Sequence, residues 1–382
     1  MLKVLLVGRP HLKFGGGGDR VVILKTQQHL KKLGVDAQIT YEINPNYKGF
    51  DIAHLFTLST WQAARKARDY GITYVVSPIY WDPTEGNTWV LGQKPFWFRL
   101  LKRTMETNKT LWHFLYFARN IWRLSKGNPL HIGNAIQVSW ARYIIMKGGS
   151  ARQREVLEWA SHLMPGSKTE MKHIEEKFGG CYPYTVVPHG VEPWFAQGVP
   201  DEFVQKYGLK DFVLSISAGF SYRKNQLSLI RALKGSGIPL VILAGARSKA
   251  EQSYYNRCRR EADDHVLFLP PMPQEDLVSV YKAAKVFALP SLFETPGLVY
   301  LEAAAAGCNV VATEVGSAKE YLGDLAWYCN PYDIDSIRQA VLEAYNAPRR
   351  KELQEHVLRN FTWERAAQLT LEVYRKVLNG EV

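Results

Sequence analysis

Two glutamates bracket a short loop whose residues could bind an anion and a sugar. Glu294 follows an apolar run that ends at Pro290, and Glu302 completes an E-x7-E spacing inside an Ala-rich run. The pattern predicts a strand, a loop, a helix from about Leu298 and a second strand at 309–312. Ligands of open α/β sheets bind at the carboxyl ends of strands, so both carboxylates can face such a crevice.

The amino end of the predicted helix is suited to a phosphate group. Pro296 and Gly297 precede the helix, which leaves the backbone N–H groups of Gly297, Leu298 and Val299 without helical partners. These groups point outward with the positive end of the helix dipole. The loop therefore predicts one acid beside a bound anion and one deeper acid that accepts hydrogen bonds from sugar hydroxyls.

A simpler interpretation of the two glutamates remains open at this point. Glu302 could be a first-turn partner of the helix dipole, and Glu294 could be a solvated loop residue. The sequence around them favours the functional interpretation. G-L-V and L-E-A lie between the acids, and G-C-N-V-V-A-T follows them.

This stretch resembles the nucleotide-sugar loop of retaining glycosyltransferases of family GT4, also called glycosyltransferase group 1. Other segments resemble the same family in order, so the resemblance covers nearly the whole chain. It implies the α/β class and the GT-B fold, in which two Rossmann-like doubly wound domains face a central cleft. It also implies an N-terminal acceptor-binding domain at 1–190, a C-terminal nucleotide-sugar-binding domain at 191–362, and a helix at 363–382 that packs back on the first domain.

The resemblance implies roles for the residues of the central loop. Glu302 would hold the ribose hydroxyls, and Glu294, the expected catalytic residue, would hold a sugar hydroxyl near the anomeric centre. The amides of residues 297–299 would bind the diphosphate. The front-face mechanism of the family lets the leaving phosphate accept the acceptor proton, so no enzyme nucleophile is required. Glu294 as a covalent nucleophile is the weaker alternative.

Two further segments of the C-terminal half match the family's donor site. In A-G-F-S-Y-R-K-N, Lys224 matches the family's phosphate-binding Lys, whereas the usual Gly-Arg is Gly219-Phe220 here. Arg223 is the candidate substitute for the missing arginine. The resemblance also implies that the backbone around Met272 contacts the base.

A glycine-rich loop follows the first predicted strand, Lys3 to Val7. Consecutive glycines let the backbone approach a ligand closely, and a helix amino end follows them. The G-x-G-x-x-G fingerprint directly after the strand is absent, which opposes an NAD-dependent dehydrogenase. In the resembled family such a loop lies across the cleft from the donor phosphates, and Gly17 and Gly18 are the implied donor-binding residues. The alternative is a flexible loop.

The strand predicted at 72–77 leads into P-I-Y-W-D-P. Many relatives have a His-Asp pair here, the His reaching the transferred sugar, whereas this chain has Tyr80 and Trp81 and keeps only Asp82. The identity of the sugar is therefore in doubt. Asp82, the second expected catalytic residue, would orient the acceptor hydroxyl or take its proton. Alternatively, Asp82 is a turn or cap residue.

Residues 94–126 have the most unusual composition of the chain, with eight Lys and Arg and one acid, Glu106. A basic helix with aromatic edges is typical of a membrane interface. The alternative is a stripe that packs on the domain core while the cations are solvated. Nucleic acid is a third interpretation, but the chain has no RNP, KH or zinc signature.

Composition narrows the class of protein. The chain has 382 residues, enough for two domains, and a formal charge of +12 favours an anionic partner. Its four cysteines, scattered without C-x-x-C spacing, predict neither a metal site nor a disulfide framework. The start is typical of a first strand and not of a signal peptide, and no apolar run approaches a membrane span. We therefore expect a cytoplasmic protein, free or peripheral on the inner face of the membrane.

The sequence predicts an enzyme, a hexosyltransferase of EC 2.4 type. The resemblance implies retaining transfer from a nucleotide sugar, whose nucleotide is UDP or GDP, to a glycan or lipid-linked acceptor. The product would belong to polysaccharide or glycolipid synthesis. We expect no metal or other cofactor, because the single Asp-x-Asp match, Asp333 to Asp335, begins a late helix and is predicted to cap it. The competing hypothesis is a nucleotide-sugar-binding protein that has lost transfer.

Overall fold

A computed structural model describes residues 1–13, 17–82 and 149–382 of the chain. These residues form two compact units. The N-terminal unit contains residues 1–166, 171–187 and 367–382, and the C-terminal unit contains residues 167–170 and 188–366. The basic aromatic segment at 94–126 and Phe14 to Gly16 lie outside the described residues. The structure divides the chain between Val187 and Pro188, and the sequence had suggested a boundary after residue 190.

The N-terminal unit is built on one parallel sheet with the strand order β2-β1-β3-β4-β5. Its strands are β1 (Lys3–Val7), β2 (Asp36–Thr40), β3 (Ile52–Phe56), β4 (Tyr74–Ser77) and β5 (His162–Leu163). Its helices are α1 (Gly18–Lys32), α2 (Trp61–Tyr70), α3 (149–158) and α4 (Lys168–Phe178, which begins in the C-terminal unit). The central strands are buried apolar runs, as expected for strands covered on both faces.

The C-terminal unit is built on a second parallel sheet with the strand order β11-β10-β9-β6-β7-β8. Its strands are β6 (Val213–Ile216), β7 (Leu240–Leu243), β8 (Val266–Leu269), β9 (Val286–Leu289), β10 (Asn309–Thr313) and β11 (Trp327–Cys329). The chain builds one side of β6 first and then crosses to the other side. The gap between β6 and β9 is therefore the topological switch point, where open α/β sheets bind ligands.

Helices cover both faces of this second sheet. They are α5 (Asp201–Tyr207), α6 (Gln226–Leu233), α7 (Lys249–Glu261), α8 (Gln274–Ala283), α9 (Leu298–Ala306), α10 (Ala318–Leu322), α11 (Ile334–Asn346) and α12 (Lys351–Asn360). One buried cluster includes Leu214, Phe287 and Leu301, and the other includes Val213, Ile242 and Val341. Because each face of the sheet has its own core, its strands are positioned from both sides.

The last helix, α13 (Trp363–Leu378), starts in the C-terminal unit and continues into the N-terminal unit at residue 367. Its Tyr374 is buried, and its hydroxyl lies 2.7 Å from His54 Nδ1 in β3. The other ring nitrogen of His54 lies 2.8 Å from Ser77 Oγ, at the end of β4. These contacts attach the end of the chain to the first sheet.

The predicted α/β class with two doubly wound parallel sheets is confirmed. The apolar segment Tyr184 to Val187 is not a strand and makes only an isolated bridge, between Leu163 and Tyr184. Its Thr185 and Val187 N–H groups donate to Leu163 O and Pro165 O at 3.0 and 2.9 Å, but the neighbouring strand β5 is only two residues long. Within the described part of the chain, no helix is both long enough and apolar enough to cross a membrane.

Candidate functional site

Lys224 lies in a tight turn after β6, at the switch point of the second sheet. The turn is a short 3-10 helix, Tyr222–Lys224, capped by Ser221, whose Oγ accepts a hydrogen bond from the Lys224 N–H at 3.3 Å. Gln226, fully buried at the start of α6, donates to Ser217 Oγ at 2.9 Å. Local capping and a buried amide thus fix the backbone that carries Lys224.

Asn225 attaches this turn to the neighbouring strands. Its side-chain amide donates to the carbonyl oxygens of Pro290, 3.0 Å away after β9, and Pro331, 2.7 Å away after β11. Its φ of 56° is a left-handed conformation that Asn tolerates better than most residues. The sequence analysis did not single out Asn225. Its only local signal was an Asn at the start of a helix.

Lys224, Arg223 and Glu294 form one charged cluster across the switch point. The Lys224 ammonium donates to Glu294 Oε1, and an Arg223 guanidinium nitrogen lies 3.7 Å from the same oxygen. The Lys224 and Glu294 side chains are only 14% and 8% exposed, whereas Arg223 is 45% exposed. Arg223 also lies over the ring of Phe293, 5.3 Å from its centroid. The three predicted residues are therefore brought together.

The cluster sets the ionisation of its buried members. Burial by itself would raise the pKa of the Glu294 carboxyl, but the Lys224 and Arg223 charges outweigh burial and lower this pKa below its ordinary value. Burial lowers the pKa of Lys224, and the Glu294 charge opposes that shift. The switch point therefore holds a buried carboxylate whose ionised form is favoured by two basic side chains.

The loop after β10 fixes the backbone of Glu294. The Glu294 N–H donates to Val315 O at 3.2 Å, and its carbonyl oxygen accepts from Ser317 N at 3.0 Å. Gly316 lies between these two, with a φ of 127°, and a Cβ added there would come within 2.1 Å of Glu294 O. Only glycine fits this close approach. The sequence analysis did not identify this residue.

The predicted anion site at the start of α9 has the expected local form. Gly297 is the N-cap of the helix, with a φ of 85°, and Leu298 and Val299 form its first turn. A side chain at Gly297 would collide with the Tyr300 ring at 2.7 Å. Glycine is therefore required at this cap, and it leaves the first N–H groups of the helix uncovered by a Cβ.

Glu302 lies in the second turn of the same helix. Its Oε2 accepts a hydrogen bond from the Tyr281 hydroxyl at 2.9 Å, and its Oε1 accepts one from the Gln274 amide at 3.3 Å. Both donors belong to α8. Glu302 is half-buried, whereas Glu294 is buried, so Glu294 is the deeper acid of the pair.

The structure also places two other positions of the predicted donor loops, Phe220 and Met272. Phe220, which replaces the expected arginine, is buried and packs against Tyr255 and Phe268 at 4.9 and 6.1 Å between ring centroids. It therefore contributes no charge, and Arg223 is the cation available beside Lys224. Met272 is half-buried against the core between β8 and α8.

The remaining predicted residues lie in the N-terminal unit. Gly17 caps α1 with extended backbone, Gly18 is its first residue, and a Cβ added at either would meet nothing within 4 Å. Arg9, after β1, forms an ion pair with Asp19 in the first turn of α1. Gly17 therefore ends the loop after β1, an interior strand of the sheet, and Gly18 begins the helix that follows.

Asp82 also lies in this unit, beyond the carboxyl end of β4. Its carboxylate is 2.8 Å from Lys177 Nζ in α4. Trp81 packs on His173 with 3.9 Å between ring centroids, and Tyr80 packs on Phe178 at 5.2 Å. The segment 80–82 is thus held along α4 by one ion pair and two ring contacts.

The Asp-x-Asp match is a helix cap, as predicted. Asp333 is the N-cap of α11, and its carboxylate accepts a hydrogen bond from Asp335 N at 2.9 Å. In the described part of the chain, no group of three or more His, Cys, Asp or Glu side chains is arranged to hold a metal ion.

Comparison with known proteins agrees with this geometry. The family model of glycosyl transferases group 1 matches residues 201–360. O-antigen chain mannosyltransferase B of Escherichia coli is 29% identical over 140 residues, which are 35% of this chain and 37% of that protein. The chain thus spans well under two thirds of the length of this curated relative.

Solved structures are similar over the whole chain. Sucrose-phosphate synthase of Thermosynechococcus elongatus has a TM-score of 0.72 at 15% identity, with 100% of both chains covered. Anabaena HepE in complex with UDP and glucose has a TM-score of 0.65 at 14% identity, covering 98% of this chain and 100% of that one. At such identities the likeness shows the fold alone. The match to the group 1 glycosyltransferase model covers residues 201–360 and so contains the whole Lys224 to Glu302 site, and the chain as a whole has the GT-B fold.

Proposed function

We propose that this chain is a retaining, metal-independent glycosyltransferase that moves a sugar from a nucleotide sugar to a glycan or lipid-linked acceptor. The observation that carries the proposal is the cluster of Lys224, Arg223 and Glu294 at the switch point. The name of the E. coli relative and the ligands of the HepE complex point to the same chemistry. The pathway would be synthesis of a bacterial-type cell-surface polysaccharide or glycolipid.

The cations explain how the site would promote departure of the nucleoside diphosphate. Negative charge builds on the leaving phosphate, and fixed positive groups stabilise it in the transition state. Lys224 is buried and held by its turn, so little reorganisation is needed when that charge develops. The N–H groups at the start of α9 would bind the same diphosphate. This charge compensation is our reason for proposing transfer without a metal.

Glu294 would accept a hydrogen bond from a hydroxyl of the transferred sugar. Its low pKa and its two cationic neighbours favour a permanently ionised acceptor and reduce its strength as a nucleophile. The mechanism we propose is therefore front-face. The bond from the anomeric carbon to the phosphate oxygen breaks, the acceptor oxygen bonds to the same face, and the leaving phosphate takes the acceptor proton.

Asp82 would act on the acceptor from the N-terminal unit. The ion pair with Lys177 favours its ionised form, which would orient the acceptor hydroxyl while the leaving phosphate takes its proton. The aromatic pair Tyr80 and Trp81 would contact the sugar where relatives have a histidine. This departure is also the observation that favours the second candidate function, a nucleotide-sugar-binding protein without transfer.

Release of nucleoside diphosphate from UDP-, GDP- and ADP-sugars tests the proposal. The wild type should release one of them, faster with an acceptor present, and a Lys224→Ala variant should be slower by about 100-fold, the effect of removing one such donor. Product analysis by NMR should show the anomeric configuration of the donor. Binding of a nucleotide sugar without any release would instead support the second candidate, and inversion would contradict the retaining mechanism.

A further inference from the structure

We propose that Tyr281 is a positioning residue that gives the donor site its preference for ribose, because it orients the Glu302 carboxylate toward the ribose hydroxyls. The inference rests on the proposed function, since it assumes that Glu302 meets the ribose of a nucleotide. Tyr281 has no counterpart among the residues that the sequence analysis singled out.

The geometry places a protein donor on each oxygen of Glu302. The Tyr281 hydroxyl donates to Oε2 at 2.9 Å, and the Gln274 amide donates to Oε1 at 3.3 Å. Two donors from one helix, α8, fix both the position and the plane of the carboxylate. An ionised carboxylate has about four acceptor positions, so accepting from these donors is compatible with accepting from a vicinal diol.

Packing around Tyr281 holds its side chain in one position. Its side chain is fully buried, and its ring lies edge-on to Phe195 and tilted on Phe287, with centroids 5.7 and 5.9 Å away. Burial, and then the Glu302 charge, raise the pKa of Tyr281 well above its ordinary value. The phenol therefore keeps its proton and can act only as a donor to the carboxylate.

Gln274 is the weaker of the two supports. Its bond to Glu302 is longer than that of Tyr281, and its side chain is half-buried at the start of α8. A half-buried donor on a long bond fixes a carboxylate less well than a buried one. The tyrosine should therefore account for most of the orientation, and loss of Gln274 should have the smaller effect.

The test compares ribose and deoxyribose forms of one ligand. Dissociation constants are measured for UDP, GDP and ADP and for their 2′-deoxy forms, with the wild type and Tyr281→Phe. We expect the wild type to prefer one ribonucleotide by about tenfold or more, as for a hydrogen bond to a charged acceptor. Tyr281→Phe should reduce this preference to about threefold or less while its affinity for the deoxy form stays nearly unchanged.

Matched variants distinguish a role of Tyr281 in orienting Glu302 from a role in the stability of the fold. Tyr254→Phe removes another buried hydroxyl, which accepts from Leu227 N at 3.1 Å, and it should keep the full ribose preference. Gln274→Leu should lower the preference less than Tyr281→Phe does. Glu302→Ala should abolish the preference, which locates it at this carboxylate. Thermal unfolding of every variant verifies that it is folded.

The outcomes are distinguishable. If Glu302→Ala loses the ribose preference and Tyr281→Phe keeps it, the positioning role is wrong while the proposed donor site stands. If Tyr281→Phe weakens ribose and deoxyribose forms equally, its role is structural and the inference is overturned. If the wild type binds no nucleotide, the proposed function fails and the inference falls with it.

Discussion

The Lys224 ammonium donates a hydrogen bond to the Glu294 carboxylate, although the two residues are 70 positions apart in the sequence. They follow β6 and β9, which are neighbours in the sheet, so strand order brings them together. Arg223 lies 3.7 Å from the same carboxylate oxygen. This relationship places an anion and two cations at the topological switch point, where the family match predicts donor chemistry.

Removing one partner of this pair should destabilise the fold. Lys224→Met leaves the buried Glu294 with only the half-exposed Arg223 as a cation, and we expect a loss of about 3 kcal/mol in the free energy of unfolding. Urea denaturation at pH 7 measures it. The double variant with Glu294→Leu should recover much of the loss.

A surface pair provides the control for that experiment. Arg65 and Asp69 lie 3.9 Å apart with both side chains more than half exposed, so Asp69→Asn should change the free energy of unfolding by less than about 0.5 kcal/mol. Equal effects of Lys224→Met and Asp69→Asn would mean that the Lys224 pair is solvated and does not organise the site.

The closeness of Gly316 to Glu294 predicts a damaging substitution. Gly316→Ala places a Cβ within 2.1 Å of Glu294 O, so the loop must move and carry Glu294 with it. We expect a loss of at least about 3 kcal/mol in the free energy of unfolding and weaker binding of nucleotide sugars. Gly208→Ala is the matched control, because Gly208 is in the left-handed region, with a φ of 66°, but a Cβ there would meet nothing within 4 Å. This control variant should lower the free energy of unfolding by about 1 to 2 kcal/mol. Similar costs would contradict the role of the close approach.

The Asn225 contacts make a separate prediction about the turn that carries Lys224. Asn225→Asp preserves the size of the side chain but cannot donate to the carbonyls of Pro290 and Pro331. A buried carboxylate beside two acceptors should lower the free energy of unfolding by about 3 kcal/mol. Asn46→Asp, at an exposed position where the side chain only accepts from Lys48 N, should be neutral in the same thermal unfolding assay. A neutral Asn225→Asp would show that this turn is held by other contacts.

The burial of His54 makes the free energy of unfolding depend on pH. Burial lowers its pKa from 6.5 to about 3, so below pH 6.5 the unfolded chain binds a proton that the folded chain does not. The contribution of neutral His54 to the free energy of unfolding is therefore fully present above pH 6.5 and is lost as the pH falls toward 3. The expected slope is about 1.4 kcal/mol per pH unit for this one group.

The variant His54→Gln isolates that contribution. Between pH 4 and 6 its free energy of unfolding should fall less steeply with acid than that of the wild type, by about 1.4 kcal/mol per pH unit. His189, whose pKa burial lowers to about 4, remains in both proteins and gives a shared background. Identical slopes for wild type and variant would mean that His54 titrates normally in the folded chain.

Much of the fold could be predicted from short apolar runs ended by Pro or Gly. The run at β1 matches the predicted strand residue for residue, because buried parallel strands have a continuous apolar pattern, and β7, β8 and β9 have the same pattern. Tyr184 to Val187 has a similar pattern but forms only an isolated bridge, because the neighbouring strand β5 is two residues long. Pattern alone does not report whether a partner strand is available.

The candidate site could be predicted only in part. Glu294, Glu302 and Lys224 lie in recognisable loops, whereas Tyr281 and Asn225 act through contacts with residues far away in the sequence. A buried tyrosine on a helix has the same local pattern as any core residue. Such residues are found only when strand order and side-chain distances are known.

Stabilisation of the chain by a nucleotide sugar tests the central claim most directly. Thermal unfolding of the wild type and of Glu302→Ala is followed with saturating UDP-, GDP- and ADP-sugars. A ligand at 100 times its dissociation constant raises the free energy of unfolding by about 2.7 kcal/mol, which gives a measurable increase in the unfolding temperature. We predict that one nucleotide class shifts the wild type and that Glu302→Ala loses the shift. No shift of the wild type with any of these donors would contradict the assignment of a donor site to Lys224, Glu294 and Glu302.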